Sequence, residues 1–319
     1  MKFFRILFAL LLAMATPWAA AQERWPSKPI RLVTPIPPGT AGDAFARLYA
    51  TALQQSLGVA VVVENRPGAS GIIGTDLVAR APADGYTLLL GYPQLFAMNP
   101  FLFSKLPYNA DKDFVPVAGL YGGGFVLLAA NSLPAKTMPQ LIELARSQPG
   151  KINYGSYGPG TQSHLGFELI QQAAGIYLVH VPYRTGVMTD LISGQVQLLL
   201  EPSGSALTYV QSGRARALAV TTGKRLEVLP DVPTLAESLP GLEMLGSAGI
   251  WAPAGVPRDI VQRLAAEFIR ITKTPEVTAR IREVGFEPFG WGPDELAAVI
   301  RKETKLWGDV IKAKNIKLD

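Results

Sequence analysis

Few residues in this chain are able to do chemistry, and the strongest candidates are neither acids nor bases. The 319 residues contain no cysteine and two histidines, His164 and His180. Disulfides and cysteine-based metal sites are excluded, and a histidine-rich metal centre has too few ligands. A hydroxyl nucleophile needs a base within reach. His164 follows Ser163 directly, but neighbouring residues on a helix point in different directions. His180 lies in the apolar run "YLVHVPY" and reads as a satisfied core histidine. No G-x-S-x-G elbow is present. Glu168, Asp190 and Glu201 are too scattered to argue for a carboxylate pair. The stretch "ASGIIGTD" (69–76) lacks the lysine of a phosphate-binding loop. Catalysis has no positive support.

What remains is recognition by backbone. In "RLVTPIPPGTAGDAFARLYATALQQSLG" (31–58), two prolines and two glycines separate an apolar run from an amphipathic one. A helix N-terminus presents N–H groups without intrahelical partners, and the macrodipole adds partial positive charge there. Such an end binds a carboxylate or phosphate without arginine. Pro38 fixes the approach, and Gly39 and Gly42 let backbone come close to a ligand. Asp43 can cap the helix. On its own this loop also fits an ordinary strand-to-helix turn. The stretch "GSYGPGTQSHLGFELI" (155–170) repeats the device. Gly158 and Gly160 lead to Thr161 and Ser163, whose hydroxyls can donate hydrogen bonds or cap the helix. It carries no G-x-G-x-x-G fingerprint for a nucleotide.

These loops need elements to hold them. Strand-like runs at 30–36, 59–66 and 86–92 alternate with helical runs. This β-α-β-α-β order predicts a parallel sheet with covering helices. In the first helix, Phe45, Leu48, Ala52, Leu53 and Leu57 fall on one face, and Gly58 ends it. Runs at 123–131, 152–158, 177–184, 194–202 and 214–222 predict a second α/β unit, followed by a strand at 248–255. Three helices close the chain, the last with Leu296, Ile300, Trp307 and Ile311 on one stripe. In open α/β sheets, ligands lie at the carboxyl ends of the strands. Two facing halves would close both helix N-termini on one small anion, the hinge closure of periplasmic receptors.

Composition agrees. Hydrophobic residues make up 48% and charged residues 17%, which argues against disorder. Residues 1–21 read as a secretory signal: Lys2 and Arg5, an apolar stretch from Ile6, and Ala19-Ala20-Ala21 before Gln22. The apolar run is short for a membrane anchor. The mature chain then carries 28 basic against 25 acidic residues, a net +3. Its basic residues are scattered, so nucleic acid is not an expected partner.

Many strings carry a family resemblance. Among them are "WPSKPIRLVTPIPPGTAGD", "VVVENRPGASGIIGTDLVARAPADGYTLLLG", "GKINYGSYGPGTQSHLGFELI", "LVHVPYR", "LPDVPTLAE" and "GIWAPAGVP". In this order, from about Trp25 to the last helix, the chain resembles the Bug-type periplasmic solute-binding receptors of tripartite tricarboxylate transporters. The resemblance implies a two-domain Venus-flytrap fold of the periplasmic-binding-protein type II-like class, with a ligand cleft between two α/β domains. It implies residues 22–122 plus 248–319 as domain 1 and 123–247 as domain 2. It implies no cofactor, no metal and no enzymatic activity. The implied ligand is a small carboxylate: a dicarboxylate, tricarboxylate, aromatic acid or amino acid. The implied partners are membrane permease subunits, and some relatives present ligand to a sensor kinase. Monomer is the default state. A periplasmic enzyme on the same fold is the remaining alternative.

In such receptors, backbone amides of two loops grip a carboxylate. Those loops correspond here to Pro38, Gly39, Thr40, Ala41, Gly42 and Asp43, and to Gly158, Gly160, Thr161 and Ser163. The first loop departs from the family's usual glycine run, because Thr40 comes early. The third-strand loop "GYPQLF" carries Tyr92 and Gln94, which would narrow the pocket or stack on an aromatic ligand. Glu201 stands where relatives often have aspartate; it would pair with an amine or repel a second carboxylate. The stretch after Arg184 is about two residues short, which would alter the cleft wall. Tyr92 and Glu201 thus favour an aromatic or amine-bearing acid over citrate.

Overall fold

Tyr49 shows how the first helix meets the core. The helix Ala41–Leu57 buries Phe45, Ala46, Tyr49, Ala50 and Leu53, and leaves Leu48, Ala52 and Leu57 half-buried at the margin. The buried stripe is rotated from the one hydropathy suggests, because Tyr49 goes fully inside. It can do so because its hydroxyl meets the Thr272 hydroxyl at 2.9 Å, so the phenol is not buried unpaired. These observations come from a computed structural model that describes residues 25–319. The expected signal peptide, 1–21, lies outside the described residues.

The strands are β1 (Ile30–Thr34), β2 (Val61–Asn65), β3 (Thr87–Gly91), β4 (Phe114–Gly123), β5 (Phe125–Ala129), β6 (Asn153–Ser156), β7 (Val179–Pro182), β8 (Leu198–Pro202), β9 (Arg216–Val220), β10 (Gly246–Pro253) and β11 (Glu287–Trp291). They form two sheets. The six-stranded sheet has the order β11-β4-β10-β3-β1-β2, and the five-stranded sheet the order β7-β6-β8-β5-β9. In the first sheet, β1 pairs in parallel with β2 and β3, while β10 runs antiparallel between β3 and β4. In the second, β6 pairs in parallel with β7 and β8, and β5 runs antiparallel to β8 and β9.

Sequence patterning misses β4 and β11. β4 carries Pro116, Gly119, Gly122 and Gly123, residues that normally punctuate strands. The structure gives Gly119 a reason: a Cβ there would lie 2.6 Å from the Trp291 ring. β11 is a half-exposed edge containing Pro288 and Gly290, so it lacks an apolar alternation. β7 is also an edge strand and is shorter than its apolar run suggests.

The chain passes from sheet to sheet twice, after β4 and before β10. Thr221 holds both passages. Its hydroxyl accepts from the Phe125 amide and donates to the Met244 carbonyl, each at 2.7 Å, and its side chain is fully buried. The last helix, Pro293–Ala313, also serves both sides. Leu296 packs with Trp251 against the first sheet, whereas Trp307, Val310 and Ile311 join Tyr154, Phe167 and Leu127 in the core of the second.

Candidate functional site

The two candidate loops are built on one frame. Each follows the carboxyl end of a strand, β1 or β6, and each opens a long helix, Ala41–Leu57 or Gln162–Ala174. Thr40 and Thr161 occupy the position before the helix. Both hydroxyls reach back three residues to a carbonyl: Thr40 to Pro37 at 2.9 Å, Thr161 to Gly158 at 2.7 Å. The glycine before each threonine has positive φ, +79° at Gly39 and +74° at Gly160. Each glycine amide donates four residues forward to a side chain. Gly39 meets Asp43 Oδ2 at 3.0 Å, and Gly160 meets His164 Nδ1 at 3.1 Å.

Asp43 is therefore an internal brace of the first loop. It is 4% exposed. Its carboxylate also accepts from Asn65 Nδ2 at 2.8 Å and from Arg47 at 3.1 Å. The Gly39 amide first, then Asn65 and Arg47, hold it below the usual carboxylate range. Asn65 also donates to the Ile36 carbonyl, so the end of β2 fixes this loop. Pro38, Gly39 and Thr40 are exposed at its tip. The helix then begins at Ala41 and Gly42, whose amides helix geometry leaves without intrahelical acceptors.

In the second loop the hydroxyls shape the loop instead of facing outward. Ser163 Oγ accepts from the Tyr157 amide at 3.2 Å and lies 3.1 Å from Thr161 Oγ1. The Gly158 amide goes to Ser156 Oγ. The amides of Tyr157, Gly158, Gly160 and Thr161 are all used within the loop. Those of Gln162, Ser163 and His164 have no acceptor among the described residues. The amides left without acceptors in this half thus begin two residues beyond Gly160.

Topology sorts the other candidates. Tyr92 and Gln94 follow β3, the neighbour of β1, and share its carboxyl edge. Tyr92 is half-buried under the 68–71 loop: a Cβ on Gly71 would sit 3.2 Å from its phenol oxygen. Burial pushes that phenol up. Gln94 is half-buried and opens the π-helical turn Gln94–Met98. That turn runs into Leu102, and Leu102 packs within 3.1 Å of a Cβ placed on Gly160. The segment after Gln94 therefore touches the base of the second loop. Arg184 follows β7, is exposed, and forms no ion pair among the described residues. Glu201, in β8, is 5% exposed. It accepts hydrogen bonds from the Tyr157 and Ser205 hydroxyls. Burial pushes its carboxyl up, against the pull of Ser205 and Tyr157.

Several supporting residues escape sequence reasoning. Tyr157 is 45% exposed yet ties the second loop to Glu201. Ala69 and Ser70 have left-handed φ of +46° and +53°, a strained conformation for residues with a Cβ. Asn99, fully buried, holds the Ser70 carbonyl at 3.1 Å. The string "RPGASG" signals this loop in the sequence, but its strain depends on the distant Asn99. His180 is half-buried and hydrogen-bonded to Ser156 at 2.6 Å, so it is satisfied as expected.

With this geometry in view, the chain can be compared with known proteins. The tripartite tricarboxylate transporter family receptor model matches residues 45–316. The chain belongs to that family. BugT of Bordetella pertussis is 33% identical over 326 residues, covering 100% of both chains. Among solved structures, Rpa4515 of R. palustris with adipate has a TM-score of 0.79 at 34% identity, covering 92% of this chain and 100% of that one. MatC of Rhodopseudomonas palustris with bound malate has a TM-score of 0.75 at 30% identity, covering 90% and 100%. The Bug-type resemblance read from the sequence is thereby borne out, and so is the two-domain α/β binding-protein fold. The family is one of solute receptors, not of enzymes.

Proposed function

We propose that this receptor takes up a small organic carboxylate in the cleft between its two α/β domains. It would deliver the ligand, in the periplasm, to membrane permease subunits of a tripartite transporter. The observation that carries this reading is the shared five-residue frame at Gly39–Asp43 and Gly160–His164. Each copy places the start of a long helix just beyond the carboxyl end of a parallel strand, where α/β proteins bind ligands. Two such ends suit a carboxylate because N–H groups and dipole act together. The adipate and malate complexes of the two neighbours support the same ligand class.

In this reading the amides of Ala41, Gly42, Gln162, Ser163 and His164 take the carboxylate. Tyr92, Gln94, Arg184 and Glu201 border the remainder of the pocket and set its selectivity. The domains divide close to the expected 122/123 and 247/248, with β4 through Gly123 and β10 from Gly246 kept whole in the first domain. The receptor acts as a monomer after its signal peptide is removed.

A thermal-shift screen tests the reading directly. The panel holds citrate, malate, adipate, benzoate, nicotinate and aspartate. A ligand at a hundred times its dissociation constant adds about 2.7 kcal/mol to stability. A hit recovered chemically unchanged establishes a receptor and names its ligand. An unchanged melting temperature across the panel, with no small acid in extracts of the denatured protein, rejects carboxylate binding.

A further inference from the structure

The two frames differ at one chemically important place. The brace that accepts the glycine amide is Asp43 in the first loop and His164 in the second. An aspartate accepts in its ionised form. A histidine accepts only through an unprotonated ring nitrogen. The Gly160 amide donates to Nδ1, so His164 is neutral with its proton on Nε2. We propose that His164 is a positioning residue for the second loop and that its protonation releases that loop, making ligand binding proton-sensitive. The proposal rests on the receptor reading above.

The surroundings of His164 favour the neutral form. Its ring stacks on His180 with centroids 4.0 Å apart and planes 15° apart. His180 stacks in turn on Tyr154, and Tyr154 on Phe167, at 5.0 and 4.2 Å. Two imidazolium rings cannot both be accommodated at such a spacing without strong repulsion. The ring also sits in the first turn of a helix, where the dipole disfavours a cation. Among the described residues, Glu168, on the same helix, is the group that attracts a proton to the pair. Its carboxylate is already held by Lys314 at 2.8 Å, Tyr154 at 2.9 Å and Gln171 at 2.9 Å. Tyr177 faces this cluster through Tyr154. Burial lowers both imidazoles, His180 to about 4, with His164 adding to the effect on His180. The window of the switch therefore lies below the ordinary imidazole value of about 6.5.

Protonation at Nδ1 would set an N–H against the Gly160 N–H. The glycine would lose its acceptor, and Gly160 sits under the helix start that presents the free amides. The first loop keeps its brace through the same window, because Asp43 is held below its usual range.

The chain has only these two histidines, so a nitrogen-15 NMR titration of the unliganded protein resolves both rings. His164→Asn assigns them and keeps a non-titrating acceptor of the length used by Asp43. We expect the Gly160 amide resonance to move with the His164 ring. Adipate affinity is measured by calorimetry in wild type and His164→Asn, and their ratio at pH 7.5 is the reference. One pH unit below the ring's midpoint, we expect wild type to have lost about ten-fold relative to His164→Asn against that reference. Comparing the two proteins at each pH cancels adipate's own titration. Parallel affinities down to pH 4, or tighter binding by wild type in acid, would overturn the proposal. If adipate fails to bind either protein at neutral pH, the carboxylate reading is at fault. The ring and amide titration then decides the role of His164 by itself, and an immobile Gly160 amide rejects it.

Discussion

Alanine at Gly39 and alanine at Gly160 should fail in different ways. Both glycines have left-handed φ, which costs an L-residue about 1–2 kcal/mol. Replacing glycine also stiffens the unfolded chain, which returns about 0.4–1 kcal/mol. The backbone contribution alone is thus about 1 kcal/mol at either site. The surroundings then separate them. A Cβ on Gly39 meets nothing within 4 Å, whereas one on Gly160 would lie 2.9 Å from Leu318 and 3.1 Å from Leu102. Relieving that overlap adds about 1 kcal/mol, the low end for overpacking, because half-buried Leu318 near the chain end can shift. Urea unfolding should show Gly39→Ala down by about 1 kcal/mol and Gly160→Ala by about 2. Binding should reverse the order. The open space over Gly39 is where the proposed ligand approaches, so Gly39→Ala should weaken adipate binding at least ten-fold, while Gly160→Ala binds less weakly. Equal stability losses would refute the packing argument. Wild-type affinity in Gly39→Ala would remove the first loop from the site.

Three further outcomes follow from buried polar groups and close contacts. Glu303 is buried against Trp307, which donates to it, and burial pushes its carboxyl up to about 7. Its folded value lies above its unfolded one, so its contribution is present below pH 4.5 and is lost as pH rises through 7. Glu303→Gln should be about 3 kcal/mol more stable than wild type at pH 8 and about equal at pH 4.5; a pH-independent difference rejects this. Tyr157→Phe leaves buried Glu201 with one hydroxyl donor, costing about 1–2 kcal/mol. A double-mutant cycle with Glu201→Gln should recover about 1 kcal/mol as coupling, and strict additivity would deny the contact. Gly204 meets the backbone of the other half: a Cβ there would lie 1.8 Å from the Val284 carbonyl oxygen. Gly204→Ala should cost about 3 kcal/mol, and a loss below 1 would show that this junction yields easily.

Much of the architecture was legible in the chain because local rules and burial agree. The alternation of strand and helix runs identified the parallel parts of both sheets. The glycines and proline before each helix marked both helix starts, since turn chemistry is a local demand; the first cap is Thr40, where the sequence suggests Asp43. β4 and β11 were hidden because their glycines and prolines answer to partners far away in sequence. Trp291 requires Gly119, and no window around residue 119 contains it.

The sequence by itself determined the family, the two α/β halves and the pair of glycine-led helix starts, because these depend on periodicity, turn chemistry and recurring motifs. Only the tertiary structure decided what each polar side chain does. Asp43, Thr161 and Ser163 each hold a neighbour within their own loop. Glu201 reads as a partner for an amine or a repeller of a second carboxylate, and within the protein two hydroxyls already donate to it. His180 and His164 are 16 residues apart in the chain and stack ring on ring. Hydrogen bonds are satisfied by whatever the fold brings within about 3 Å, so a polar residue's role follows from neighbours that its sequence position does not name.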